Sequence, residues 1–324
     1  MLPRVRSVFD RLVQERGLLS PDSAKSFGPL AHPVFELPVW VTLRLNDEGI
    51  EIPKEDLSDL LGVSALGYLH ARAQDDWLDS GSNEEPMLIA VAEALVALCS
   101  RLLASVVGAS VKFWRFYAQV MNAYAESLLD AVEVRRTDAP ISRSTFERLL
   151  TQSRPLIIPS AALLDRADRW QLLDDLEEFV FTATASSQLF NDLTDLYRDR
   201  RMGQRTWTTA VVGESGADDL WLELAGTWNK QQGKIQERIG TALLFHERSA
   251  RAARAMELTA AETWLRDRQA ALEGLLGSLR ENLLATFVRR MAESEPARPS
   301  SPTATSHEGD DDNDNRAHGR RVSE

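Results

Sequence analysis

Aspartates are the residues of this chain best suited to chemistry, and they fall into two groups. In SSQLFNDLTDLYRDRRMGQR, Asn191, Asp195 and Asp199 recur at i, i+4 and i+8, and Asp192, Asp195 and Asp199 at i, i+3 and i+7. On a helix either set makes one oxygen-rich stripe. Carboxylates held so close repel one another unless water or a cation separates them. Far upstream, in QDDWLD, Asp75, Asp76 and Asp79 make a second acidic face, with Asp75 and Asp79 one turn apart. Magnesium binds carboxylate oxygens and completes its shell with water or substrate phosphate. Two such faces meeting across a bundle are expected to hold magnesium and leave positions open for a diphosphate. The ions would neutralise the charge that builds on the diphosphate as it departs, and so promote ionisation of an allylic ester.

Helices must position both groups. Helical spacing at Val5, Val8, Phe9, Leu12 and Val13 predicts a helix over residues 3–17, stopped by Gly17 and Pro21, with a loop over 18–37. VWVTLRL, after Pro38, reads as a short strand by alternation or equally as a buried helical segment. Residues 56–79 form one predicted helix ending in DDWLD, and Gly81 to Pro86 breaks it. Residues 87–107 are apolar almost all round, which predicts a central helix of a bundle. Further helices are expected over 111–134, over 143–152 with Ser142 as cap, over 172–201 carrying the second acidic stripe, and at about 220–245 and 260–291. From residue 294 the chain turns to Pro, Ser, Asp and Asn and cannot bury enough surface to fold, so a domain over 1–293 with a disordered tail over 294–324 is expected.

Composition narrows the partners. The 324 residues are 44% hydrophobic and 27% charged, enough for a full core, and a single all-α domain is the favoured reading. A net charge of −12 argues against a nucleic-acid surface, which needs a basic stripe. Cys99 is the sole cysteine, so no internal disulfide forms and the cytoplasm is the expected compartment. No apolar run reads as long enough to cross a membrane, and no stable membrane insertion is expected.

The pair DDWLD and QLFNDLTDLYRDRRMG resembles the two aspartate-rich motifs of class I isoprenoid synthases, over residues 34–210. It is similar to the trans-prenyl diphosphate synthases, whose second motif reads Q-x-x-D-D-x-x-D followed by Gly-Lys. The resemblance implies a single-domain helical bundle around a central cavity. It also implies about three magnesium ions held by Asp75, Asp76, Asp79, Asn191, Asp192, Asp195 and Asp199, and a homodimer is common among such relatives. The chain departs from the elongating members: their K-R-x-R-P element falls at Val34-Phe35-Glu36-Leu37-Pro38, and their R-R-G-x-P at Ser82-Asn83-Glu84-Glu85-Pro86. A second diphosphate there would face Glu84 and Glu85, the wrong sign. The second motif is also similar to the N-D-x-x-S/T-x-x-x-E of terpene cyclases, whose metal positions fall on Asn191, Asp195 and Asp199, with Asp for Ser/Thr and Asp for Glu. Cyclases place a diphosphate-sensing arginine before this motif, where Arg148 or Arg143 stands; Arg198 and Arg205 are further candidates, and their C-terminal Arg-Tyr pair is missing.

The resemblance therefore implies a terpene synthase that ionises farnesyl or geranylgeranyl diphosphate, cyclises or rearranges the cation and releases pyrophosphate. The alternatives are a prenyltransferase that adds isopentenyl diphosphate and a non-catalytic helical subunit. Phe113, Trp114, Tyr117 and Phe190 are candidates for a pocket wall that steadies a cation, with core packing the commoner fate of such residues. His70, five residues before Asp75, stands near enough to line a pocket, though a lone helical histidine is ordinarily structural.

Overall fold

The computed structural model describes residues 33 and 35–281 apart from 81–85, 138–140, 202, 212–227, 271, 275–276 and 278–280. Of the side chains of 72, 75–80, 86–88, 135, 197, 200–201, 211 and 228–236, nothing further is described. The helix expected over 3–17 and the tail from 294 lie outside the described residues. Among the described residues the chain is all-α, with no strand.

VWVTLRL is helical, within α1 (Glu36–Asp47). Leu37, Trp40, Val41 and Leu45 are buried at the spacing of one helical face, and burial on that face overrides the strand tendency of a β-branched run. Then come α2 (Lys54–Ser80), α3 (Pro86–Val107) and α4 (Val111–Arg136). The short α5 (Arg143–Leu149) begins at Ser142, whose side chain accepts from Thr145 N. Its chain tightens into a 3₁₀ segment (Leu150–Ile157) containing Pro155, and re-forms as α6 (Ile158–Arg166), with Pro in its first turn.

The long helix expected over 172–201 is two helices. α7 (Leu173–Thr194) ends at Asp195, whose φ of −93° and ψ of 0° leave the α region, and α8 (Leu196–Arg201) follows. After Gly203, whose φ of 69° suits a residue without Cβ, the chain crosses to a 3₁₀ turn (Thr209–Val211). The next described helix, α9 (Trp228–Ala255), runs past the end at 245 expected, and the expected start over 220–227 lies outside the described residues. A further helix, α10, spans 259–270.

α2 packs on α3, α7 packs on α9, and the 3₁₀ segment lies between α4 and α7. One core joins α1, α4, α6 and α7 through Leu37, Phe113, Leu163 and Phe179, among others; a second joins Phe146, Leu189, Phe190, Trp207 and Phe245. Each such fully buried side chain contributes about 1.5–3 kcal/mol. α3 is not the central helix its composition suggested. Val91, Leu95, Leu103 and Val106 are buried, but residues 90, 93, 97, 101 and 104 are exposed and Ile89 is 47% exposed. Its exposed positions include Ala90, Ala97 and Ala104, which read as apolar yet cost little in water. Residues 89–107 also meet the length and composition of a membrane span, with mean hydropathy 1.9, contrary to the sequence expectation. Glu93 and Arg101 are their charged residues.

Candidate functional site

A cavity of about 580 Å³ runs between the two cores. α2 gives it Ser64, Gly67, Tyr68, His70 and Ala71; α4 gives it Tyr117, Met121 and Tyr124. From α7 come Thr184, Gln188 and Asp192, spaced by four, so one helical stripe runs along the wall. Phe146, Leu150 and Pro155 close another side, and Arg205, Thr206 and Trp207 arrive from the connection after α8. This size is that of a pocket for a small molecule or a long apolar chain.

At the Asp192 end the wall is polar. Gln188 Nε2 donates to Asp192 Oδ1 at 2.8 Å, and Thr206 also bonds this carboxyl. Asp192 is 3% exposed, and burial pushes its pKa up to about 6; Gln188 and Thr206 pull it down, and Asp199 and Asp195 push it up. Asp199 is raised too, by burial first and then by Asp195, against Arg198. Its buried Oδ1 accepts no hydrogen bond, although the Arg198 guanidinium lies 3.7 Å away. Asp195, at the break between α7 and α8, takes a 2.5 Å ion pair from Arg198.

Thus Asp192, Asp195 and Asp199 act on one another electrostatically, but Asp192 alone lines the cavity. Asn191 is exposed and off the wall. The i, i+4, i+8 set expected to share a face does not, because the helix breaks at Asp195 and because Thr184 and Gln188 fix the inward register on Asp192. Asp75, Asp76 and Asp79 lie in helical backbone near the end of α2, and position 75 is one turn beyond Ala71; their side chains are outside the described set. Among the described residues no three His, Cys, Asp or Glu side chains stand together as a metal-binding group.

The arginines separate. Arg148 is 56% exposed and pairs with Asp130 at 3.0 Å, away from the wall, and Arg143 pairs with Glu147 at 2.9 Å. Arg198 belongs to Asp195. Arg205 does line the cavity, where its Nη1 donates to the carbonyls of Val134 and Thr137 at the end of α4. A cation suits that helix end.

Of the four aromatic candidates, Tyr117 alone lines the cavity. Phe113 is fully buried in the first core and Phe190 is buried in the second. Trp114 donates its indole N–H to Gly108 O at 2.9 Å, pinning the turn between α3 and α4. Their fate is ordinary packing, since their helical faces point to neighbouring elements. The wall instead uses Tyr68, Tyr124, Phe146 and Trp207. Trp207 stacks on Phe146 with centroids 5.1 Å apart, and the buried Arg238 guanidinium lies 3.5 Å from its centroid. Trp207 sits in what reads as a mere connection, so its size and its place just after the second acidic motif were the available signals.

Two wall residues are held in particular states. His70 is buried, and burial lowers its pKa, while the Ala92 carbonyl and Glu93 raise it. Cys99 is buried, approaches Val63 O at 3.8 Å, and is pushed up to about 12 by burial, so it stays a thiol. Comparison of the chain with known protein families, curated proteins and solved structures finds no match.

Proposed function

We propose that this chain is a magnesium-dependent class I terpene synthase, which ionises a linear prenyl diphosphate and guides the resulting cation to product. The observation that carries the reading is a largely apolar cavity of about 580 Å³ with the Asp192 carboxyl in its wall and Asp195 and Asp199 beside it. The donor set suits magnesium: all ligands are oxygens, and the buried Asp199 Oδ1, which accepts no hydrogen bond and has the Arg198 guanidinium only at 3.7 Å, is an acceptor that a cation would satisfy. Asp192, Asp195 and Asp199 would hold the ions from α7 and α8, and Asp75, Asp76 and Asp79 from α2. When bound, the ions supply neutralisation of the charge on the leaving diphosphate.

The chain's own residues do the rest. Gln188 and Thr206 orient Asp192. Arg205 is the arginine that lines the cavity among the described residues, and it is the charge-assisted donor we assign to the diphosphate. Tyr117, Tyr124 and Phe146 line the chamber that would take the cation, and Trp207, sandwiched between Phe146 and Arg238, braces that wall.

Purified protein with magnesium and farnesyl or geranylgeranyl diphosphate alone is expected to release pyrophosphate and a volatile product, read by gas chromatography and mass spectrometry. A second reading has its own support: the inward register of Gln188 and Asp192 follows the Q-x-x-D-D-x-x-D pattern of prenyl diphosphate synthases better than the cyclase pattern. Product that forms only when isopentenyl diphosphate is added would select that reading and reject the first.

A further inference from the structure

We infer that His70 is the proton acceptor that ends the reaction, taking a proton from the cation so that an olefin rather than an alcohol leaves. The inference rests on the proposed ionisation chemistry and adds to it a residue outside both acidic motifs.

The geometry defines the tautomer. His70 Nδ1 lies 3.2 Å from the carbonyl of Ala92 on the neighbouring α3. A carbonyl only accepts, so Nδ1 carries the hydrogen and Nε2 keeps its lone pair. His70 is among the residues that line the cavity, and its ring centroid lies 6.2 Å from that of Tyr124, another lining residue. Tyr124 gives its hydroxyl hydrogen to Gln74 Oε1, one turn further along α2. Nε2 is therefore a neutral base fixed by a backbone contact from outside the cavity, and burial keeps it neutral.

Rival bases in the described wall are poor. Cys99 is a protonated thiol with its pKa pushed up to about 12. Asp192 is held by Gln188 and Thr206 in the oxygen cluster assigned to the ions. Tyrosine, serine, threonine and glutamine are weak bases. In the step itself, the C–H bond next to the cationic carbon breaks. Its electron pair becomes the new C=C bond and cancels the charge, and the proton goes to Nε2. The imidazolium returns that proton to water when product leaves.

The test uses the full chain and His70→Asn, whose amide N–H can still reach the Ala92 carbonyl but whose side chain offers no basic nitrogen. Both are incubated with magnesium and a single prenyl diphosphate, and olefin and alcohol are counted per pyrophosphate released. The olefin-to-alcohol ratio is expected to fall about tenfold in His70→Asn, a modest share of what a placed base ordinarily supplies. An unchanged ratio at undiminished pyrophosphate release overturns the role of His70 and leaves the proposed function standing. No pyrophosphate from the parent chain at any substrate length sinks the proposed function, and this inference with it. Should His70→Asn fail to fold, nitrogen NMR of histidine-labelled parent decides: hydrogen on Nδ1 and a bare Nε2 that shifts on adding farnesol supports the assignment, and hydrogen on Nε2 overturns it.

Discussion

Asp192 is a carboxyl whose surroundings would rather keep it protonated. Its folded pKa is about 6 against an ordinary 3.8, so between those values the folded chain binds the proton more than the unfolded chain does. Folding stability is then full below pH 3.8, falls as pH rises through 6, and stays low above it. A shift of this size corresponds to about 3 kcal/mol. Asp192→Asn is expected to stabilise the chain by about 2–3 kcal/mol at pH 7.5 in buffer free of divalent ions, with the gain gone by about pH 4. Chemical denaturation of both proteins across this range checks it. The same substitution should abolish pyrophosphate release. The sequence marked these residues as candidate oxygen ligands, but not which of Asn191 and Asp192 turns inward. That depends on Gln188 and Thr184 one and two turns earlier, and on how α7 rotates against its neighbours, which spacing alone leaves undetermined. His70 went the other way: an isolated histidine reads as structural, and only the Ala92 carbonyl across the helix pair gives it a defined lone pair.

At the scale of elements, local signals were read well and long-range ones poorly. Ser142 before α5 was legible because a cap acts within one turn; Ser142→Ala is expected to cost about 1 kcal/mol, measured by urea unfolding. The break at Asp195 was not legible, since Leu193, Leu196 and the charges around them keep helical spacing across it. Nor was the connection from Gly203 to Thr208, which brings Arg205 to the end of α4, Thr206 to Asp192 and Trp207 onto Phe146. Gly203, at φ 69°, is its pivot. A Cβ there meets nothing within 4 Å, so Gly203→Ala adds backbone strain alone, about 1–2 kcal/mol. The expected outcome is a lower melting temperature together with a higher KM for the diphosphate, because Arg205 and Thr206 move with the backbone.

For the whole molecule, the cavity sets the terms. A sealed dry void of this volume would cost roughly 14 kcal/mol at the usual rate per cubic ångström, as much as the entire net stability of a typical domain. The chamber must therefore be wetted or occupied. Gly67 opens onto it, with nothing within 4 Å of a Cβ. Gly67→Leu is expected to fold, and to shorten the longest prenyl diphosphate that yields pyrophosphate; a series of substrates of increasing length would show it. A Cβ added at Gly62, by contrast, would lie 3.3 Å from Leu102 Cδ1, so even alanine crowds α3. The all-α character of the described residues was readable from periodicity except at VWVTLRL, whose alternation suits a strand as well. That α3 would be peripheral was not, because alanine-rich exposed faces and buried faces share one composition.

The solitary sulfhydryl of the chain, Cys99, sits in the chamber's lining and remains protonated at any working pH. A protonated thiol reacts slowly, so a small uncharged reagent in large excess is expected to label it slowly, and more slowly still when a guest blocks its entry, which makes the labelling rate a gauge of occupancy. Whatever truly lodges inside should shield that sulfur, and a series of candidate lipids can be ranked by how long the label takes to appear.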